Sequence, residues 1–414
     1  MSRTMKDSGI PWIGEIPEGW KVNMLSSLFD EHKQKNKDLS ESNLLSLSYG
    51  KIVRKDINTK EGLLPESFEG YNIISNGDIV FRLTDLQNDK RSLRTGLCLE
   101  SGIITSAYVT IRARQQLYSP YYHYLVHSYD VCKVFYGMGD GVRQGMNYSD
   151  LRRLLLITPP LAEQHLIATF LDKKCSEIDS LIELQEQMIE ELKAYKQSVI
   201  TEAVTKGIRN EELGVRNYKD SGIECIGKIP THWEVKLLRF VLDNLDYLRE
   251  PISAEHRQRN NPIYDYYGAS GVIDKIDYYN VDDTVLLIGE DGANLRMRNI
   301  PLIYKASGKF WVNNHAHILK PISDNYNYLA MLLEALDYSD FITGSAQPKL
   351  SQDNLKKVRL CIPPLAEQQA IADYLDKKCG EIDELITIKQ QKIESLKEYK
   401  KSVIYEYVTG KKEP

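Results

Sequence analysis

Long hydrophobic runs are missing from this chain. Apolar stretches such as Leu154 to Ile157 and Val285 to Ile288 are far shorter than the roughly 20 residues a membrane span needs. The first residues, Met1-Ser2-Arg3-Thr4-Met5-Lys6-Asp7-Ser8, are polar and hold no apolar stretch of signal-peptide length, so a cytosolic location is expected. Cysteine is sparse too. Cys98, Cys132, Cys175, Cys225, Cys361 and Cys379 form no CxxC pair and no spaced Cys/His cluster, which argues against a zinc finger and for free thiols. Basic charge is also lacking, since the net charge is -5 and the pI about 6.0. A surface coated with lysine and arginine is excluded; any nucleic-acid contact has to come from local patches or from a basic partner.

What is present is ordinary soluble-protein composition, 42% hydrophobic and 27% charged, spread over 414 residues. That length exceeds what one hydrophobic core normally serves, so two or more domains are expected. Internal repetition decides how they are arranged. Lys6-Asp7-Ser8-Gly9-Ile10 recurs as Lys219-Asp220-Ser221-Gly222-Ile223, and the match runs on to Trp20 and Trp233. Pro159-Pro160-Leu161-Ala162-Glu163-Gln164 recurs as Pro363-Pro364-Leu365-Ala366-Glu367-Gln368. From there to Thr205 and Thr409, 31 of 47 aligned positions are identical without a gap. Residues 23–158 and 236–362 share almost nothing. Like ends around unlike middles suggest common framing elements holding two segments with different targets.

Each Pro-Pro-Leu block is expected to start a helix, because a proline before the first turn costs no hydrogen bond. A second, longer helix is expected from about Asp172 to Lys206. Ile178, Ile182, Ile189, Leu192 and Val199 fall at alternating three- and four-residue steps when Gln185 and Lys196 fill the gaps. The other copy offers Ile382, Ile386, Ile393, Leu396 and Val403, with Lys389 and Lys400 in the gaps. Such stripes need a partner in water. Residues 172–206 hold five lysines against eight acidic residues, and 376–410 hold seven against seven. Pairing one copy with the other therefore avoids the repulsion of self-pairing, and pseudo-two-fold symmetry makes the pair antiparallel. The alternative is that each helix packs onto its own domain.

Three short patterns suggest catalysis or metal binding, and the duplication tests them. Gly222 to Ile229 has P-loop glycine and lysine spacing, but Ile229 stands where a hydroxyl must hold magnesium, and Glu15 follows the equivalent Gly14. Phe135-Tyr136-Gly137-Met138-Gly139 and Asn261-Pro262-Ile263-Tyr264 resemble the cofactor and catalytic loops of adenine methyltransferases. They lie in different halves, and the counterpart Phe341-Ile342-Thr343-Gly344-Ser345 has lost the second glycine. His315 and His317 could place two imidazoles on one strand face beside Glu290 and Asp291, without a fixed third ligand. No catalytic residue, no metal site and no bound cofactor is assigned to this chain.

The repeated blocks and the motifs between them resemble the specificity subunits of type I restriction-modification systems. The first variable region carries Asn76-Gly77-Asp78-Ile79-Val80-Phe81-Arg82 and Gly139-Asp140-Gly141-Val142-Arg143-Gln144. The second carries Ile288-Gly289-Glu290-Asp291-Gly292-Ala293, Asn313-Asn314-His315-Ala316-His317 and Gly344-Ser345-Ala346-Gln347-Pro348-Lys349-Leu350. The resemblance implies a non-catalytic subunit that reads a bipartite double-stranded DNA sequence, one half-site per recognition domain. It implies two modification subunits that methylate adenine N6, and restriction subunits where the system has them, with S-adenosylmethionine, ATP and magnesium on those partners. The rival readings are an adenine methyltransferase acting by itself and a structural adaptor that touches no DNA.

The expected fold is α/β, with two globular target-recognition domains joined by two long antiparallel coiled-coil helices in a pseudo-two-fold repeat. The boundaries are 1–158 and 212–362 for the recognition domains, with helical spacers at 159–211 and 363–414. Phosphates call for Lys or Arg; bases favour Arg for guanine and Asn or Gln for adenine. Candidate contacts in the first domain are Arg82, Lys90, Arg91, Arg94, Arg143, Gln144, Asn147 and Tyr148. In the second they are Arg257, Arg259, Asn294, Arg296, Arg298, Gln347 and Lys349. Leu192→Lys combined with Leu396→Lys is expected to loosen the helical spacer and abolish methylation by the assembled complex. Wild-type methylation by that double variant would remove the spacer reading.

Overall fold

The computed structural model describes residues 3–58, 65, 67–86, 93–114, 116–138, 145–208, 217–224, 226–257 and 262–414. The chain forms two compact units, Met1–Glu186 with Gln390–Pro414, and Gln187–Lys389. This division cuts across the expected boundaries, because the helices own no separate core. Their apolar faces are shared out between the two globular cores, and each unit takes the first half of one long helix and the second half of the other.

In the first unit, a four-stranded antiparallel sheet runs in the order Thr95–Leu97, Ile79–Phe81, Val109–Ala113, Phe29–Glu31. A three-stranded sheet joins Gly102–Ile104, Asn72–Ile74 and Gln34–Lys35, and Lys21–Met24 pairs with Leu155–Thr158. The helix Ser119–Val131 turns Tyr121, Tyr122, Leu125 and Tyr129 into the core. In the second unit, six strands follow the order Leu242–Asn244, Ala316–Pro321, Val281–Gly289, Ile303–Val312, Tyr264–Gly268, Gly271–Ile276. All neighbours are antiparallel except Tyr264–Gly268 against Ile303–Val312. The helix Tyr326–Ala335 covers this core.

Each Pro-Pro-Leu block leads into one helix, not two. The first long helix runs unbroken over Leu161–Lys206 and the second over Leu365–Val408. No proline interrupts either stretch, and the single Gly380 is tolerated inside a helix whose neighbouring turns are packed. The expected seam is visible in both. Ile178, Ile189, Ile382, Ile393 and Val403 are buried, while Ile182, Leu192, Val199, Ile386 and Leu396 are half-buried. The two helices run antiparallel within each unit. In the first, Phe170 stacks on Tyr407 at 4.4 Å, and Lys400 pairs with Asp179 at 2.7 Å. In the second, Lys196 pairs with Asp383 at 2.7 Å. Lys196 and Lys400, two of the residues that interrupt the seam, thus reach across it to carboxylates of the opposite helix.

The repeated residues carry matching bonds. Trp20 and Trp233 donate from the indole to Glu163 and Glu367 at 3.0 and 3.1 Å. Gln164 and Gln368 are buried and donate to the carbonyls of Pro159 and Pro363, both at 2.9 Å. Tyr121 donates to the carbonyl of Val408 at 2.9 Å, and the Tyr328 hydroxyl lies 3.3 Å from the carbonyl of Val204 and 2.8 Å from that of Cys361. The carbonyls of Val408 and Val204 are acceptors that a helix end leaves without intrahelical partners. Just past Val408, Gly410 sits at φ +72°, where a Cβ would meet Pro17 at 2.5 Å.

Ile178→Ala or Ile382→Ala is expected to cost about 2–4 kcal/mol by leaving a cavity in the seam. Lys400→Ala, which loses a partly solvated ion pair, is expected to cost less than about 1 kcal/mol. Urea titrations followed by tryptophan fluorescence check the order; equal losses would mean the seam is not what holds the helices.

Candidate nucleic-acid interface

In the second unit the strand Val281–Gly289 leaves the sheet and runs into the segment 290–298. Three backbone bonds tie this segment to its neighbours. Glu290 donates to the carbonyl of His315 at 2.8 Å, Leu350 donates to the carbonyl of Glu290 at 2.8 Å, and Gly292 donates to that of Pro348 at 3.1 Å. The segments 290–298, 313–315 and 344–350 therefore form one loop cluster. The turn between Gly344 and Gln347 is tight. Gly344 has φ +81°, and a Cβ there would stand 2.4 Å from the carbonyl oxygen of Gln347, so only glycine fits.

A charged network holds the cluster from below. Glu290 is buried between Arg249, which pairs with one carboxylate oxygen, and Lys349, 3.1 Å from the other. Burial would push this carboxyl up, but the bonds from Arg249 and Lys349 bring it below its ordinary value, so it stays an anion. Asp246 follows the same logic. Burial acts against its charge, yet the His317 bond at 2.6 Å and the Ile318 amide at 2.9 Å hold it below the usual carboxylate range. His317 is fully buried, and its Nε2 lies 2.8 Å from the carbonyl of Leu350, which can only accept. The chain Asp246–His317–Leu350 thereby pins the 344–350 loop to the sheet.

The candidates of the second domain divide on this frame. Arg296 and Gln347 are exposed in the cluster, and Arg296 donates across it to the carbonyl of Gly344 at 3.2 Å. Lys349 is exposed there as well, paired with Glu290. Asn294 faces inward, taking the amide of Ile300 at 3.1 Å and donating to its carbonyl at 3.0 Å, which closes the turn. Arg298 sits at φ +53° and donates to the carbonyls of Glu334 and Leu336, so it clips the loop to the helix above. Arg257 has different contacts. It pairs with Asp274 at 2.9 Å and lies 4.2 Å over the Tyr266 ring. Arg259 lies outside the described residues.

The first unit repeats this plan with other residues. Ile79–Phe81 runs into Arg82–Leu86, and Met146 donates to the carbonyl of Leu83 at 2.9 Å, where Leu350 donates to Glu290 in the second unit. In each unit a short helix follows that bond. Asn147 caps Tyr148–Leu151 by accepting from Ser149 at 2.7 Å; Ser351 caps Gln352–Leu355 by accepting from Asn354 at 3.3 Å. Tyr148 donates its hydroxyl to Phe29 at 2.9 Å, so Asn147 and Tyr148 both hold structure. Arg94 departs from its expected surface role. It is fully buried, with its guanidinium on the carbonyls of Thr84 at 2.7 Å and Asp85 at 3.2 Å, and it fastens its own loop from inside. Arg82 is half-buried, its amide bonded to the carbonyl of Arg94 at 2.8 Å. Lys90, Arg91, Arg143 and Gln144 lie outside the described residues.

The catalytic look-alikes sit on unsuitable frames. Val134–Gly137 is a 3-10 turn following a helix, whereas a cofactor loop leaves a strand and enters a helix. The segment around Gly222 and Gly227 connects the paired strands Tyr218–Asp220 and Lys228–Pro230, with no helix to receive phosphate. His315 and His317 bond different carboxylates, Asp291 at 2.8 Å and Asp246 at 2.6 Å. Among the described residues no group of three or more His, Cys, Asp or Glu is placed to hold a metal ion. No described helix is long and apolar enough to cross a membrane.

The profile of the type I restriction modification DNA specificity domain matches residues 232–410, the second loop cluster together with its long helix. A putative type I restriction enzyme MjaX specificity subunit from Methanocaldococcus jannaschii is 26% identical, over 96% of this chain and 95% of its own. Residues 232–410 thus match the type I restriction modification DNA specificity domain, and over nearly its whole length the chain is similar to a type I restriction specificity subunit. A putative specificity subunit from Haemophilus influenzae is 31% identical over 34% of this chain and 36% of its own. The fold is shared with a chain from a structure of type I restriction-modification complex assembly and conformational transition. There the TM-score is 0.72 at 15% identity, covering 95% of this chain and 99% of that one. The HsdS subunit of Thermoanaerobacter tengcongensis gives 0.52 at 16% identity over 95% and 98%.

The frame of the second cluster has its own pH signature. The folded state holds the Asp246 proton less tightly than the unfolded chain. Its stabilising effect is therefore complete above the ordinary value of 3.8 and is lost as pH falls through the lower folded value. Asp246→Asn should melt below wild type at neutral pH, with the gap narrowing as the pH drops beneath about 4. A gap independent of pH would mean that the carboxylate charge is not what pins the loop.

Proposed function

We propose that this chain is a type I specificity subunit that reads a bipartite double-stranded DNA target, one half-site per unit, and holds two modification subunits that methylate adenine N6. The observation that carries this is the pair of loop clusters. In both units a central strand runs into a loop, and the residue just before the cap of a short helix donates to that loop, Met146 to Leu83 and Leu350 to Glu290, with unlike residues around the bond. Such a device is suited to presenting two different sets of side chains to two different base sequences. Arg296, Gln347 and Lys349 are the residues best placed to do so in the second unit, with Arg82 in the first.

The long helices suit partner binding. Leu181, Leu184 and Tyr195 are exposed on the first, and Leu385, Ile388 and Tyr399 stand exposed at the corresponding positions of the second. Apolar residues left in water at equivalent places on both copies offer two equivalent docking faces to the modification subunits. The spacer role of the helices belongs to the same proposal. S-adenosylmethionine, with ATP and magnesium where restriction subunits join, is assigned to the partners, and this chain contributes no catalytic group.

Replacing residues 23–158 by the equivalent segment of a related subunit is expected to change one half of the methylated sequence and leave the other intact. Mapping methylated adenines in a genome expressing the chimera reads this directly. Changes in both halves, or in neither, overturn the modular reading. Tight S-adenosylmethionine binding by the purified chain alone would favour the methyltransferase alternative.

A further inference from the structure

Several cations of the two units are already neutralised. Arg249 and Lys349 share Glu290, Arg257 pairs with Asp274, Arg112 with Asp78, Arg114 with Asp30 and Lys320 with Asp283. Two dibasic pairs differ: Arg152-Arg153 in the first unit and Lys356-Lys357 in the second. Arg152, Arg153 and Lys356 form no ion pair among the described residues, and Lys357 reaches only the amide oxygen of Asn354, at 3.4 Å. Arg152, Arg153 and Lys357 are exposed and Lys356 half-buried.

The two pairs are mounted alike. Each follows the short capped helix and is bracketed by buried apolar residues, Leu151 and Leu154 in one unit, Leu355 and Val358 in the other. Arg152 donates its amide to Tyr148 at 2.8 Å, and Lys356 donates to Gln352 at 3.0 Å. Beyond each pair, the carbonyls of Leu154 and Val358 accept from Leu25 and Leu238, both at 2.8 Å. The charges are therefore held on a fixed pedestal. Only a cap residue and the four-residue helix, about 6 Å of rise, separate each pair from Met146 or Leu350. Unneutralised charge of one sign, repeated beside both clusters in a protein of net charge -5, has a natural counterpart in a polyanion.

We propose that Arg152-Arg153 and Lys356-Lys357 are paired clamps on the DNA phosphodiester backbone beside each half-site, a role that rests on the DNA-reading function above. They grip without reading sequence, and so set affinity and register while the loops set specificity. The test uses the full chain assembled with its modification subunits. Arg152→Gln with Arg153→Gln, and separately Lys356→Gln with Lys357→Gln, are titrated against a duplex carrying the methylated sequence and a scrambled one, over a range of salt concentrations. Each double substitution is expected to lower the slope of log affinity against log salt by about 2. Affinity for both duplexes should fall by the same factor, leaving their ratio unchanged. Arg152→Lys with Arg153→Lys, which keeps the charge, should keep the slope. An unchanged slope, or a loss confined to the methylated sequence, overturns the clamp. Wild-type complex that does not distinguish the two duplexes instead overturns the DNA-reading function itself.

Discussion

Each unit of this protein closes its core with the last turns of the long helix that began in the other. Val403, Ile404 and Val408 complete the first core, and Ala203 and Val204 the second. The rest depends on this burial. A helix of more than forty residues with a narrow apolar stripe has no stable existence in water, so its ends must be embedded and its middle paired. Tyr121 and Tyr328 fix the point of entry by satisfying carbonyls near the two buried helix ends. Neither unit has a complete core without chain from both halves of the sequence.

The polar residues of the repeat make sense on this frame. Glu163 and Glu367 tether the start of each helix to Trp20 and Trp233, and the buried amides of Gln164 and Gln368 hold the prolines that precede it. These are bonds between framing elements, in which a change at one position leaves a buried polar group unpaired at the other. The loop clusters carry no such mutual obligation at their exposed residues. Arg296 and Gln347 can vary while Asp246, His317 and Glu290 keep the loops in place beneath them. A fixed frame under changeable side chains would serve the proposed independent reading of two half-sites.

Much of this was legible in the residues. The Pro-Pro-Leu blocks announced helix starts, and the steps from Ile178 to Val199 and from Ile382 to Val403 announced the seam and its antiparallel partner. The site was less legible. Arg94, counted with the loop cations, turned out to be the buried staple of its own loop, and Arg257 is committed to Asp274 and Tyr266. Nothing local sets Arg152-Arg153 and Lys356-Lys357 apart from other basic pairs such as Lys173-Lys174 and Lys377-Lys378. Counting back equally from the two proline pairs sets Met146 against Leu350 and Asn147 against Ser351, a buried residue followed by a helix cap, and would have aligned the loops.

By itself the sequence determined the duplication, the helical seam and the ends that frame each unit. Periodicity, capping and proline placement act over a few residues, and a reader of the chain can count them. Tertiary structure alone decided how the helices are divided between two cores, which loops are equivalent and which cations remain unneutralised. Whether an arginine faces solvent, a carbonyl or a carboxylate depends on residues tens of positions away, as with Arg249 and Glu290 or Arg257 and Asp274. No local pattern records such partners, because ion pairing follows distance in space and not separation along the chain.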